Sequence, residues 1–532
     1  MRNQPIEDRL SWGDSVFLNL EREGMPLNVA CLSVFEGDLS FDEYVRFVES
    51  RLPLIPRYLK RVVASPLNAG LPNWDYDREF DIRFHVREAA LKHGTEAELK
   101  ALTGKILSKV MDRQRPLWDM TLVRGLKGNR TALVARMHHC LADGIAGVGI
   151  MSVLMDPSPE IRPLPKQARR LRIPRSLDPV SSFVESLTSS YASFMDRVLS
   201  AWANMLNITE RTLANGANPP SDEASRFMPE VTAPTERLFF NTIYRGPQRF
   251  ACTEISLDEI KAVKTICGAS VNDVLLALVT ATIRRYSELH GDQVKGRLFR
   301  VMVPVNLRGN DTSSSQLGNC ISLVPVTIPL DIRNPKKLLT AVHRRTEFLK
   351  RAHAAEFVSL ASGLIAVLPN PLQAFVGPQI SRLPITPFNM VCTNVPGPQF
   401  PLYLYGHKML QWYPYVPIGG ELALNCAILS YNGMVYFGFS GDVHISPDLN
   451  RLEKFLKLSF AELKDAVGLS PRPKKSHRKQ TSKKQTNKPS APPAAQTVRI
   501  PIPLPVPQPT VKSADAPQPV ADEKPVVLPQ TA

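Results

Sequence analysis

Short apolar or β-branched runs alternate with amphipathic stretches along most of the chain, and they fall into two series. In the first, Val29–Phe35, Met120–Val123 and Ala132–Met137 predict strands, because branched and apolar side chains suit a pleated, half-buried surface. Phe41–Arg51, Glu96–Lys109 and Ile145–Met155 predict the intervening helices. The second series opens with a strand at Phe250–Ile255 and a helix that starts at Ser256, with Glu259 three residues on in capping-box spacing. A helix near Val271–Arg285, a strand at Phe299–Val305 and a helix near Pro335–Ala352 follow. Strands at Leu422–Leu429 and Met434–Phe439 flank Tyr431-Asn432-Gly433, a strong hairpin signal because Asn and Gly accept the left-handed backbone of a tight turn. The pattern is that of an α/β (α+β) chain with two mixed-sheet halves and a site between them.

Between the halves, residues 158–235 begin and end rich in proline and charge but contain an amphipathic stripe. Phe183, Leu187, Tyr191, Phe194, Val198, Trp202 and Leu206 share one helical face. A crossover helix packed on the body explains the stripe; a membrane-surface helix after the basic run Arg169-Arg170-Leu171-Arg172 explains it too. The most apolar of the long uncharged stretches, Phe357–Ser381, is interrupted by Gly363, Pro369, Asn370, Pro371 and Gly377, so it reads as a hairpin, core or membrane-touching, rather than a spanning helix.

Charge changes the picture once it is mapped. The net charge of +16 is shared unevenly, since residues 471–532 hold 11 Lys/Arg against 3 Asp/Glu and so carry half of it. The remaining +8, spread over a large body, suits anionic coenzyme phosphates or an anionic membrane and gives no reason to expect a specific nucleic acid. That tail also holds 14 prolines in 62 residues, too little apolar material to fold, so 470–532 reads as a disordered basic and Pro-rich segment. The seven cysteines are scattered and never spaced C-x-x-C, which favours a reducing compartment. The first residues lack a basic start followed by an apolar core and a cleavage site, and cytoplasmic residence is the expectation.

The chemistry concentrates in Thr131–Ile150, where an apolar strand runs into His138-His139 and then Asp143-Gly144. Neighbouring residues on a strand point to opposite sides, so the two histidines have different roles. A neutral imidazole is a competent base for an alcohol. Gly144 lets the chain turn, and Asp143 can hold the loop through an arginine or a histidine nitrogen. A metal pair is disfavoured because the other histidines are isolated, so no metal is expected; an ordinary core role is the remaining bland reading.

The H-H-x-x-x-D-G pattern resembles the acyltransferase superfamily of chloramphenicol acetyltransferase, carnitine acyltransferases and peptide-synthetase condensation domains. Further residues narrow the likeness: Pro116-Leu117-Trp118, Val271-Asn272-Asp273, Pro304-Val305-Asn306-Leu307-Arg308 before Leu317-Gly318-Asn319, Asn394-Val395-Pro396-Gly397-Pro398 and Ser430-Tyr431. With an opening DRLSWGDSVFLNLE, this set is similar to the bacterial wax ester synthase/diacylglycerol acyltransferase family over roughly Ile6–Leu469. The resemblance implies two chloramphenicol-acetyltransferase-like domains, 1–157 and 236–469, joined by a crossover linker. It implies His139 as general base, His138 as structural and Asp143 as a loop-shaping residue. Direct attack of an alcohol on an acyl-CoA thioester follows, with acyl-CoA as co-substrate and no other cofactor.

Asn272 is a candidate oxyanion donor, although its place in a first helical turn equally fits capping. Arg308 is the expected partner of Asp143, and Pro116, Leu117 and Trp118 are expected to pack beneath the histidine strand. Asn394, Pro396 and Gly397 read as a strand ending in a rigid turn, which the resemblance implies lies near the substrate passage, with Asp273 as support. The implied acceptors are diacylglycerol or a long-chain alcohol, at a membrane or lipid-droplet surface. A specialised lipid or polyketide alcohol, or a non-catalytic tether of the same fold, are the alternatives.

Overall fold

The structure, a computed structural model, describes residues 9–65, 71–142, 144–162, 235–306, 321–351 and 388–469. The linker stripe at 183–206, the hairpin at 357–381, Asp143, Arg308, 317–319 and the tail from 470 lie outside the described residues.

The first half runs α1 (Trp12–Leu20), β1 (Asn28–Glu36), α2 (Phe41–Arg51), a small ribbon β2 (Lys60–Val63) and β3 (Asn73–Tyr76), then β4 (Val86–Ala90) and α3 (Glu96–Leu107). It continues with β5 (Trp118–Leu126), β6 (Arg130–His138) and α4 (Gly144–Leu154). The second half runs β7 (Gln248–Ser256), α5 (Leu257–Cys267), α6 (Val271–Leu289), β8 (Leu298–Asn306), β9 (Ile321–Pro329) and α7 (Pro335–Arg351). After it come β10 (Met390–Pro396), β11 (Tyr403–Leu404), β12 (His407–Tyr415), β13 (Leu424–Tyr431), β14 (Met434–Asp442) and α8 (Arg451–Ala466). Local signals account for several ends. Ser256 caps α5 by accepting the Glu259 N–H, and Asn432 and Gly433 turn the β13–β14 hairpin with positive φ of 46° and 78°.

Two mixed six-stranded sheets result, ordered β11-β12-β1-β6-β5-β4 and β7-β14-β13-β10-β8-β9. Each has its own apolar core. The two series along the chain do not map one-to-one onto the two sheets, because β11 and β12 leave the second half and complete the first sheet. β12 lies antiparallel to β1, with Leu32 opposite Tyr413. Met409, Trp412, Tyr413 and Tyr415 are buried in the first core, so burial of these large side chains drives the exchange.

The halves also touch through α3 and β7. A β-carbon on Gly104 would lie 2.7 Å from the Gln248 carbonyl, so only glycine permits this approach. Lys100 Nζ donates to Glu453 at 2.7 Å and to the Cys252 carbonyl at 3.2 Å, tying α3 to α8 and β7.

Candidate active site

The sequence places both histidines on the strand, but β6 ends at His138 and His139 opens the turn that follows, so their different environments come from the strand-to-turn break and not from alternation. His138 is wholly buried. Its backbone N–H donates to the Leu117 carbonyl at 2.9 Å, its carbonyl accepts from Leu141, and its Nδ1 accepts the Cys140 N–H at 3.1 Å. Because Nδ1 accepts a backbone donor, a neutral His138 carries its proton on Nε2. That nitrogen lies 3.4 Å from Oε1 of Glu21, whose side chain is fully buried.

Glu21 follows the last residue of α1. Burial pushes its carboxyl up, but His138, the Leu27 N–H at 3.0 Å and Arg113 together hold it below the usual carboxylate range. The Arg113 guanidinium reaches Oε2 at 3.0 Å, and the same Nη2 donates to the Leu18 carbonyl at 2.7 Å.

His139 is half-buried, with its backbone N–H donating to the Leu27 carbonyl at 2.9 Å. Its ring stacks on Phe17 of α1, with centroids 3.9 Å apart and planes 5° from parallel. Its Nδ1 is buried. One imidazole is thus enclosed and held by a carboxylate, while the other lies against an aromatic face with part of its surface open.

Pro116, Leu117 and Trp118 are buried beneath this strand end. Leu117 supplies the carbonyl that anchors His138. Trp118 donates from Nε1 to the Tyr58 carbonyl at 2.8 Å and stacks between Tyr58 and His85 at 4.5 and 4.6 Å. Two residues upstream of His138, the buried Arg136 forms a two-pronged pair with Asp119, both contacts 2.7 Å, and donates to the Ile106 and Lys109 carbonyls. A charge so paired is tolerated in the interior, and it locks β6 to β5 and to the end of α3.

From the second half, β10 reaches this site. A β-carbon on Gly144 would lie 3.0 Å from Cγ2 of Val395, so Gly144 is where α4 passes close to β10. A β-carbon on Gly397 would lie 2.5 Å from the Ser430 carbonyl, which accepts the Gly397 N–H at 2.9 Å. The Asn-Val-Pro-Gly-Pro segment is therefore pinned to β13. Asn394, half-buried, turns its Nδ2 to Oδ1 of Asn272 at 3.5 Å.

Asn272 does not cap α6. That place is taken by Ser270, whose hydroxyl accepts the Asp273 N–H while Asp273 accepts the Ser270 N–H, a reciprocal pair. Asp273 is buried and structural: it also takes His343 Nδ1 at 2.9 Å and Thr346 Oγ1 at 2.5 Å from α7. Burial pushes this carboxyl up, and Thr346, Ser270 and His343 outweigh it and hold it low.

The structure thus gathers His138, His139, Pro116, Leu117 and Trp118 at one strand end, Gly144 against Val395, and Asn272 against Asn394, with Asp273 behind. Phe17, Glu21 and Arg113 also belong here. Their one sequence signal is the opening DRLSWGDSVFLNLE, which contains both Phe17 and Glu21. Among the described residues no group of three His, Cys, Asp or Glu is placed to hold a metal.

Two mixed-sheet lobes, one of which carries a strand that runs into paired histidines, form a fold of the two-lobe, condensation-domain-like class. The first condensation domain of the calcium-dependent antibiotic synthetase shares this fold at 14% identity, with a TM-score of 0.53 over 87% of this chain and 98% of its own. The wax ester synthase/diacylglycerol acyltransferase catalytic domain matches residues 10–275, and the corresponding C-terminal domain matches 317–464. The chain belongs to the wax ester synthase/diacylglycerol acyltransferase family.

A member of known structure, the wax ester synthase/diacylglycerol acyltransferase from Marinobacter aquaeolei, is 25% identical, with a TM-score of 0.60 over 87% of this chain and 100% of that one. Two probable diacylglycerol O-acyltransferases of Mycobacterium tuberculosis are 28% and 29% identical, each over nearly nine-tenths of this chain and 97% and 100% of their own lengths.

Proposed function

We propose that the chain transfers an acyl group from acyl-CoA to the hydroxyl of diacylglycerol or a long-chain alcohol, making triacylglycerol or wax ester, with His139 as the base. The contrast between the two histidines carries this reading. His138 is enclosed beside a carboxylate, whereas His139 is only half-buried, five residues before the Gly144 that packs against Val395 of the other half. Nε2 of His139 is assigned the alcohol proton, taken as the oxygen attacks the thioester carbon. The C–S bond breaks, and the departing thiolate recovers that proton. Holding both substrates at one imidazole makes the attack effectively intramolecular, and base catalysis adds roughly 10²–10⁴ in rate.

In this mechanism Asn272 and Asn394 line the passage near the reacting carbonyl. Asn272 spends Oδ1 on Asn394, so its Nδ2 is the edge assigned to the oxyanion. Because both acceptors partition into lipid, the reaction is assigned to the cytoplasmic side of a membrane or to a lipid-droplet surface, with the chain attached peripherally.

Labelled acyl-CoA supplied with diacylglycerol and hexadecanol side by side, with the products separated by thin-layer chromatography, tests the assignment. Wild type should yield labelled triacylglycerol or wax ester and His139→Ala neither, while both remain folded. Turnover retained in the variant removes the base.

A further inference from the structure

Phe17 and Glu21 lie one helical turn apart and address both imidazoles of the pair, Phe17 stacking on His139 and Glu21 facing His138. The helix that carries Phe17 is capped within its own first turn and fastened to the body at its far end. Ser11 Oγ accepts the Asp14 N–H at 3.0 Å at one end, and Arg113 grips the Leu18 carbonyl and Glu21 at the other. The ring against His139 is therefore presented by an anchored element.

An aromatic face carries negative potential, so it attracts an imidazolium more than a neutral imidazole. At 3.9 Å and 5° the His139 ring lies parallel to that face and in contact with it. A base that accepts the alcohol proton is cationic from the moment of attack until the thiolate reclaims the proton.

We propose that Phe17 is a positioning residue for acyl transfer, its face holding His139 in one orientation and favouring the imidazolium that forms during attack. The idea rests on His139 being the base. It assigns Phe17 a task distinct from packing, because an aliphatic side chain of similar bulk fills space but offers no such face.

Charged groups also surround the histidine turn. Asp14 and Glu21 from α1, Arg57 before β2 and Arg113 before β5 all act on the Cys140 thiol next to His139. Asp143 follows four residues along the chain from His139. None of these is altered by a change at Phe17, so a response to that change reports the ring.

The test measures kcat and KM for acyl-CoA over about pH 5–9, where histidine titrates, in wild type, Phe17→Leu, Phe17→Met, Phe17→Trp and His139→Ala, with thermal unfolding alongside. The two aliphatic variants should lose about three- to tenfold in kcat with KM nearly unchanged. Their acid limb should move about half a pH unit lower, because the imidazolium has lost its stabilising face. Tryptophan, with the stronger face, should keep kcat and move the limb upward.

Folded aliphatic variants with the wild-type acid limb overturn the proposal. If both aliphatic variants fail to fold, an unmoved limb in Phe17→Trp overturns it instead. His139→Ala separates the two levels: turnover that survives there removes the base itself, whereas an inactive His139→Ala beside unshifted Phe17 variants removes only the role of Phe17.

Discussion

A β-carbon on Gly438 would sit 1.8 Å from the carbonyl oxygen of Pro414. Gly438 is in β14 of the second sheet and Pro414 in β12 of the first, so at this point the two sheets pack backbone against backbone. No rotamer change relieves such an overlap, since the obstructing atom belongs to a main chain. Gly438→Ala must therefore push the sheets apart, and we expect a loss of about 3 kcal/mol or more, in the range of severe overpacking. Urea unfolding should show a lowered midpoint. A variant as stable as wild type would mean that the sheets are not held together here.

Glu21 links stability to pH. Its carboxyl is held below its ordinary value of 4.5, so it stabilises the fold above that pH, and the contribution disappears as pH falls through the lower folded value. Glu21→Gln keeps the shape but discards the charge facing Arg113 and His138. The variant should be less stable near neutrality, and its stability should fall less steeply than that of wild type below about pH 4.5. Denaturant midpoints between about pH 3 and 7 compare the two. Parallel curves for variant and wild type would show that Glu21 titrates alike in the folded and unfolded chain.

Much of this site is written in adjacent residues, and that part is legible. Two adjacent histidines at the end of an apolar strand mark the place where chemistry concentrates, and Asn-Gly between two apolar runs must turn. The partners of those histidines are not legible in the same way, because Glu21 lies 117 positions before His138 and nothing local records the approach. The same holds for β12, whose pairing with β1 joins residues more than 370 apart. At α6 the Asn-Asp pair leaves the cap ambiguous by a residue or two. The reciprocal hydrogen bonds of Ser270 and Asp273 resolve it, and they free Asn272 to face Asn394.

Asp273 connects helix packing to the site through that same neighbour. Replacing it with alanine removes the acceptor of Ser270, His343 and Thr346 together, and so releases the start of α6 from α7. We expect a destabilisation of about 2–4 kcal/mol, as for breaking a buried charged network. We also expect a fall in kcat beyond what the unfolded fraction explains, because Asn272 is the preceding residue. Assay at a temperature where the variant is fully folded distinguishes the two effects. Normal kcat there would detach Asn272 from the chemistry.

His138 offers the sharpest separation of support from catalysis. His138→Ala deletes the acceptor of the Cys140 N–H and leaves the Glu21 carboxylate facing a cavity, so it should cost about 2–4 kcal/mol and slow turnover by loosening the turn that bears His139. Asparagine at this position places a carbonyl oxygen near where Nδ1 stands, and short amide side chains readily accept the N–H two residues on. If His138 acts only through the turn, His138→Asn should recover most of the kcat lost in His138→Ala, with its Nε2 absent. No asparagine at 139 should do the same, since an amide is no base near neutral pH. Full inactivity of both asparagine variants, each folded by circular dichroism, would place His138 in proton transfer and require the roles of the pair to be redrawn.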